Sequence, residues 1–220
     1  MKRREFTLAG AAGTAAVAGL AGWGLQANAQ KAPAQAVAGK DYMVLKKPAA
    51  TDAPKGKGEV LEFFGYWCPH CHSFEPEFNA WLKQVPPEVV VRRVPVAFRP
   101  EMAPLQRTFY ALETLGYVGL MHGRVFDAIH KQRINLMTDA NVLAWAAQQP
   151  ELKGRFEQAY KSFGMDAKLR RANQLAMDYG IEGVPSLGVA GKFYIDAETA
   201  QGLTRGLQIA TALAVQSAKG

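Results

Sequence analysis

A short apolar segment runs directly into the only two cysteines of this 220-residue chain. Residues 59–65 read Glu-Val-Leu-Glu-Phe-Phe-Gly, which is too short for a buried helix and predicts a strand. Cys68 and Cys71 follow, and apolar side chains then recur at helical spacing from Phe74 to Leu82. A cysteine pair at a strand-to-helix junction constrains the fold strongly, because motifs for reversible disulfide chemistry occupy such junctions.

The start of a helix is a favourable place for an ionised thiol. If the helix begins near Cys68, its sulfur faces unpaired backbone N–H groups and the positive end of the helix dipole, and a protonated His70 adds to both. A stabilised thiolate stabilises the reduced form, so a disulfide between Cys68 and Cys71 would be a strong oxidant. Cys71, one turn inside the helix, suits the role of the resolving thiol.

Three other interpretations of the cysteine pair are open at this point. Cys68-Pro69-His70-Cys71-His72 also matches the attachment signature of a c-type haem, although the strand leading into the motif argues against a helical haem protein. A zinc site built from Cys68, Cys71 and His72 lacks an evident fourth ligand. A small structural disulfide is the remaining interpretation.

The rest of the chain predicts an α/β fold interrupted by helices. Residues 89–96 predict a second strand, and the charged pair Arg92-Arg93 favours a place near a sheet edge. Helical patterns then dominate until strands return on either side of Ala190-Gly191, a turn where Asn-Gly is more usual. The predicted segments are a flexible arm over 30–40, one α/β unit formed by 41–100 and 180–220, and an all-helical insertion over 101–179.

Residues 1–29 have the three-part layout of a cleavable secretory signal. A basic start at residues 2–4 precedes an uncharged run over 8–25, and a small-x-small site follows at 27–29. The run is rich in Ala and Gly, which makes it a weak membrane anchor. The paired arginines also resemble a twin-arginine signal, so both that route and the Sec route are open. Export would place the mature chain in an oxidising compartment such as the periplasm.

The formal net charge of +7 raises the question of an acidic partner. Removal of residues 1–29 takes away a net +2 and leaves +5 on the mature chain. The remaining Lys and Arg residues are scattered, with no run of five or more, so a nucleic-acid partner is not indicated.

Two motifs together resemble a known family. Residues 62–71, which end in Cys-Pro-His-Cys, and Gly183-Val184-Pro185 are similar to the DsbA-type periplasmic thiol:disulfide oxidoreductases of the thioredoxin superfamily. The resemblance covers nearly the whole mature chain. It implies a thioredoxin fold interrupted by a helical insertion, and a redox-active disulfide with no other cofactor and no metal.

The resemblance also implies a role for each matching residue. Cys68 would be the nucleophile and Cys71 the resolving thiol, with Pro69 and His70 tuning the pair. Val184 and Pro185 would form a cis-proline loop that faces the cysteines and pairs with an extended substrate segment. Glu62 would be a buried acid that helps to move the Cys71 proton, although an outward-facing charge on the strand is an equal alternative.

A protein of this kind would act as a monomer that oxidises reduced, newly exported polypeptides and is reoxidised by a quinone-linked membrane partner of the DsbB type. A disulfide isomerase or reductase of the same fold is the main alternative. Isomerases of this kind usually carry an added dimerisation domain, for which the arm leaves no room. A non-redox relative resembling glutathione transferase fits poorly with an export signal and an intact cysteine pair.

Overall fold

The computed structural model describes residues 36–219 of the chain. The predicted signal, its cleavage site and the first part of the predicted arm therefore lie outside the described residues. In chain order the elements are β1 (Met43–Val44), β2 (Gly58–Phe64), α1 (Pro69–Leu82), β3 (Val89–Pro95), a 3₁₀ turn (Pro100–Met102), α2 (Ala103–Thr114), α3 (Val118–His130), α4 (Asp139–Ala147), α5 (Phe156–Tyr160), α6 (Met165–Asp178), β4 (Ser186–Val189), β5 (Phe193–Ile195) and α7 (Leu203–Ala218).

The five strands form one mixed sheet in the order β1-β5-β4-β2-β3. β2 is parallel to β3 and antiparallel to β4, and all seven of its residues are buried. A strand covered on both faces reads as a nearly continuous apolar run, which explains the pattern that predicted it. β3 lies at the sheet edge, where its charged pair placed it in the sequence-based prediction.

The two faces of the sheet are covered by different helices. Val60 of β2 packs with Phe74 and Phe78 of α1 and with Leu207 and Leu213 of α7. On the opposite face, side chains of β2 and β3 pack against α6. The helical block between β3 and β4 has its own core, to which Cys68 and Cys71 also belong. The cysteine pair therefore lies where the sheet meets the inserted helices.

The predicted α/β fold with an inserted helical block is confirmed, whereas the domain boundaries stay a prediction. The last residues of the predicted arm are ordered by a specific contact. The backbone N–H of Val37 donates to Asp41 at 2.8 Å, and Arg205 of α7 contacts the buried Asp41 carboxylate at 2.9 Å. Within residues 36–219, no helix is both long enough and apolar enough to span a bilayer.

The turn between β4 and β5 gives a first testable prediction. Ala190 (φ 52°) and Gly191 (φ 68°) are both left-handed, and Lys192 N–H donates to Val189 O at 2.9 Å, which is a type I′ turn. Alanine is strained in this conformation and asparagine tolerates it better, so Ala190→Asn is expected to stabilise the protein by about 0.5–1 kcal/mol in urea unfolding.

Gly191→Ala is the matched opposite change. A Cβ atom there would lie 2.4 Å from the carbonyl oxygen of Ala49, so we expect a clear loss of stability. If Ala190→Asn gave no gain while Gly191→Ala was destabilising, strain at Ala190 would not limit the stability of this hairpin.

Candidate active site

Cys68 caps the amino terminus of α1 with its own sulfur. The backbone N–H of Cys71 donates to Cys68 Sγ at 3.4 Å, and Pro69 occupies the first turn, where its missing N–H costs nothing. The two cysteines are separate thiols in this structure, with exposed fractions of 4% for Cys68 and 1% for Cys71. Cys68 follows Phe64, the last residue of β2, by only four residues, so the strand fixes its position at the start of α1.

The surroundings of Cys68 favour its ionised form. They lower the pKa of the Cys68 thiol to about 6, first through a hydrogen bond from the Cys71 thiol and then through the backbone N–H groups of Cys71 and His70. Burial of the Cys68 thiol opposes this lowering of its pKa. The positive charge of a protonated His70 adds the smallest of the favourable contributions, and the His70 side chain is exposed.

Cys71 has the opposite character. Burial, the hydrogen bond to Cys68 and the negative charge of an ionised Cys68 all raise the pKa of the Cys71 thiol far above its usual range. The charge of Glu62 contributes in the same direction, which places that carboxyl within electrostatic reach of Cys71. The pair therefore combines one readily ionised thiol with one that holds its proton.

A loop from the far end of the chain faces the cysteine pair. The peptide bond between Val184 and Pro185 is cis, and the carbonyl oxygen of Val184 lies 3.3 Å from Cys68 Sγ, within reach of the protonated thiol as donor. Ser186 secures this loop, since its hydroxyl donates to Gly183 O at 2.7 Å. The structure thus brings together the two motifs that are widely separated in sequence.

Glu62 is buried and belongs to an ionic cluster behind the cysteines. Its exposed fraction is 2%, and Arg93 Nε lies 2.9 Å from Glu62 Oε2. The two residues are direct cross-strand partners in the parallel pairing of β2 with β3. The Arg93 guanidinium also contacts Glu75 of α1, donates to Asn79 at 3.1 Å and lies 4.9 Å from the ring centre of Phe78.

The cluster continues into the helical insertion through His122. His122 Nε2 lies 3.2 Å from Glu75 Oε2, and Nδ1 lies 2.7 Å from the Tyr66 hydroxyl. Burial lowers the pKa of His122 to about 4, so the ring is neutral at pH 7. With the proton on Nε2, the ring can accept the Tyr66 O–H at Nδ1. His122 therefore connects α3 to α1 without adding a buried charge.

The raised pKa of Glu62 makes this carboxyl the member of the cluster that holds a proton. Arg93 supplies one positive charge to two buried carboxyls, Glu62 and Glu75, so one of the two must be neutral for the cluster to balance. Burial raises the pKa of Glu62 to about 8, against the opposing effect of Arg93 and with the help of the Glu75 charge. At pH 7 Glu62 is the neutral member, and it can both accept and donate a proton near that pH.

Arg93, Glu75 and His122 are absent from the sequence-based prediction of the site. The burial of Glu75 could have been predicted from the helical periodicity. The buried face of α1 has the spacing of Cys71, Phe74, Glu75 and Phe78. Arg93 interrupts an otherwise apolar strand, which indicates a buried counter-charge, but only the register shows which one. His122 has no such signal in the sequence.

The position of His72 bears on the haem and zinc alternatives. His72 Nε2 lies 3.0 Å from Asp127 Oδ1, and its ring stacks on His130 with 5.1 Å between ring centres. The imidazole is thus engaged with α3 rather than directed into a haem-sized space. Over the described part of the chain, no group of three or more His, Cys, Asp or Glu side chains is arranged to hold a metal ion.

A mixed sheet that delivers a cysteine pair to the start of a helix, opposite a cis-proline loop, defines a thioredoxin-fold thiol:disulfide oxidoreductase. Comparison with known proteins supports this class. The family model of the DSBA-like thioredoxin domain matches residues 59–208, and the chain belongs to this family. The haem carrier and the non-redox relative are not favoured by these findings.

Individual relatives show how far the similarity extends. The thiol:disulfide interchange protein DsbA of Burkholderia cepacia is 42% identical over 165 residues, which cover 75% of this chain and 78% of that protein. DsbA of Bordetella parapertussis is 39% identical over 202 residues, or 91% of this chain and 96% of that protein. A crystal structure of a DsbA variant from Pseudomonas aeruginosa is 33% identical, with a TM-score of 0.80 and coverage of 84% of this chain and 100% of that one.

Proposed function

We propose that this chain donates the Cys68–Cys71 disulfide to reduced polypeptides that fold after export. The observation that supports this most directly is the asymmetry of the pair, in which the pKa of Cys68 is lowered to about 6 while the pKa of Cys71 is raised. An easily ionised Cys68 stabilises the reduced chain, so the disulfide has a strong tendency to take electrons from a client dithiol.

The reaction consists of two exchanges. A client thiolate attacks Cys68 Sγ, the Cys68–Cys71 bond breaks, and the departing Cys71 sulfur takes up a proton. A second client thiolate then attacks the client sulfur of the mixed disulfide and displaces Cys68 as a thiolate. The client loses two electrons and forms its disulfide, and the chain gains them as a dithiol. Cys68 is a good leaving group in the second step because its pKa is low.

Glu62 has the properties of a proton donor and acceptor for Cys71. A carboxyl with a pKa of about 8 is neutral when the oxidised chain meets a client at pH 7, and it can give its proton to the departing Cys71 sulfur. The same group can take that proton back during reoxidation. Arg93 and Glu75 would act through Glu62 by setting its pKa, which makes them positioning residues.

Val184 and Pro185 would bind the client backbone. The loop places a carbonyl beside the reacting sulfur, and an extended client segment can pair with such a backbone edge. We further propose that residues 1–29 direct export to the periplasm and are removed, and that a quinone-linked membrane protein of the DsbB type reoxidises the monomeric chain. A disulfide isomerase or reductase of the same fold is not favoured, because the relatives are named thiol:disulfide interchange protein DsbA.

The equilibrium with glutathione is expected to change with pH in a way that reports the Cys68 pKa. Reduction above that pKa yields a Cys68 thiolate and releases a proton, so the equilibrium constant for reduction should rise by about tenfold per pH unit between roughly pH 6.5 and 8. Below pH 6 both cysteines are protonated, and the constant should level off. Cys71 does not titrate in this range because its pKa is raised.

The thiolate absorbance of the reduced chain in the ultraviolet is an independent measurement of the same ionisation. Its midpoint should coincide with the pH at which the glutathione equilibrium changes slope. A constant that stayed level up to pH 8 would assign Cys68 an ordinary pKa and would favour a reductase or isomerase over an oxidase.

A further inference from the structure

A groove of about 700 Å³ opens beside the cysteine pair. It extends from His70 past the Val184-Pro185 loop to the start of α7 at Leu203. Phe74, the cis-proline loop and Leu203 give it an apolar lining, and the ring of Tyr194 contributes to one wall. Because the groove runs along the loop that carries the carbonyl facing Cys68, a polypeptide that reacts at Cys68 would lie in it.

The groove also carries four carboxylates. Glu77 comes from α1, Glu182 precedes the cis-proline loop, and Asp196 and Glu198 follow β5. Among residues 36–219 no Lys or Arg lies within 4.0 Å of any of the four, and His70 is the only basic side chain in the lining. The groove therefore has a net negative charge on a chain that is basic as a whole.

Acidic residues elsewhere in the described chain differ in their ion pairing. Most of those outside the groove are in ion pairs with Lys or Arg: Asp41, Asp52, Glu59, Glu62, Glu75, Glu113, Asp127, Glu151, Glu157 and Asp166. In the groove only Asp196 is satisfied internally, by Thr199 and the Tyr194 hydroxyl. One carboxylate oxygen of Glu77 is enclosed and has no hydrogen-bond partner within the described residues. Over the described part of the chain, the groove thus brings together four carboxylates without a Lys or Arg partner beside the loop that faces Cys68.

The carboxylates lie close enough to influence groups in the groove wall. Burial raises the pKa of Tyr194 to about 12, and the negative charges of Asp196 and Glu182 contribute to the rise. A cationic side chain that entered the groove would find an apolar surface for its methylene stem and carboxylates for its charged end.

We infer that the groove selects client segments that carry a Lys or Arg side chain within a few residues of the reacting cysteine. This inference rests on the proposed function and specifies its substrate class. Extended chain advances about 3.3 Å per residue, so side chains two to four residues from the client cysteine would lie along the groove. Clients with acidic side chains at the same positions would be repelled.

The test uses three reduced two-cysteine peptides that differ only in residues flanking the first cysteine, which are Lys, Gln or Glu. Rates of oxidation by the oxidised full chain are measured by stopped flow, and each is divided by the rate of the same peptide with a small neutral disulfide. This division removes the effect of flanking charge on thiol reactivity. We expect the Lys peptide to exceed the Glu peptide by about tenfold at low ionic strength and by about twofold in strong salt.

Two double variants, each of which replaces two Glu residues with Gln, show whether the selectivity depends on the groove. In Glu182→Gln/Glu198→Gln, which alters two exposed groove residues, the Lys-to-Glu rate ratio should fall by about threefold or more. In Glu88→Gln/Glu157→Gln the ratio should not change, because Glu88 lies at the end of the sheet opposite Cys68 and Glu157 lies on α5. Glu77→Gln tests the enclosed carboxylate separately.

The possible results are distinct. Equal Lys-to-Glu ratios in the two double variants, or a ratio near one in the unaltered chain, would overturn the charge selection while leaving the oxidase function in place. Failure to oxidise any of the three peptides would overturn the proposed function itself, and the selectivity with it.

Discussion

A Cys68→Ser variant is expected to lose all oxidation of a reduced test protein, whereas a Cys71→Ser variant should accumulate a mixed disulfide when it is mixed with a test protein that contains a disulfide. The first change removes the sulfur that forms the bond to the client. The second leaves a Cys68 thiolate that can attack a disulfide of the test protein and release one of its sulfurs as a thiolate, but it removes the Cys71 thiol that would break the mixed disulfide. Non-reducing gel electrophoresis and mass spectrometry distinguish the two outcomes.

Alkylation by iodoacetamide checks the same assignment in the unaltered reduced chain. At mildly acidic pH only Cys68 should be modified, because its pKa is about 6 and that of the buried Cys71 is raised. Modification of Cys71 in preference to Cys68 would reverse the two roles. The Cys68→Ser variant, which retains only the buried thiol, is the control for slow background labelling.

Loss of the Arg93 charge is expected to have the largest effect on stability. Arg93→Met leaves Glu62 and Glu75 buried without a cation, and breaking a buried ion pair in this way costs about 3–5 kcal/mol. Arg93 lowers the pKa of Glu62, so without the cation this pKa should rise further and the carboxyl should take up a proton more readily. The loss should therefore be greatest near neutral pH and shrink as the pH falls, as measured by urea unfolding of the oxidised protein.

Arg171→Met is the matched control, because it removes an Arg whose ion pair with Asp52 is nearly half exposed. Exposed pairs of this kind contribute at most about 1 kcal/mol. A triple variant, Glu62→Gln/Glu75→Gln/Arg93→Met, should recover part of the lost stability, since no uncompensated charge remains. Equal losses in Arg93→Met and Arg171→Met would show that the buried cluster does not depend on its cation.

Much of the fold can be predicted from the sequence because the central strand β2 is covered on both faces. The apolar segment before the cysteines became β2, and the helical patterns of the insertion became α2 to α6. Gly180 (φ 63°) lies just beyond α6, as its place after the last helical pattern predicts. The arm was harder to predict, because Asp41, which holds its ordered end through Val37, is itself paired with Arg205 on α7, the last helix of the chain.

The residues of the site also fall into those that can be predicted from local sequence and those that depend on the tertiary fold. The cysteine pair and the cis-proline loop are local motifs and can be recognised from short segments. The orientation of Glu62 could not be decided from its own segment. In a strand with one exposed face its side chain could point to solvent, whereas in a strand covered on both faces it is buried. Its partner Arg93 is fixed by the register of two parallel strands, and its neighbour Glu75 by the packing of α1 on them. Such pairings depend on the tertiary fold and leave no short-range pattern.

The topology of the sheet has a consequence for the order in which the site is assembled. Val184 lies 116 residues after Cys68, and the whole helical block separates β2 from its partner β4. A chain that emerges from a membrane amino terminus first would expose Cys68 and Cys71 well before the loop that faces them. Pairing over such a distance is slow to form, because a long segment must be ordered before the contact is made. On such a route the thiols would be among the first parts of the molecule to reach their compartment, and the surface that positions a client against them would be among the last.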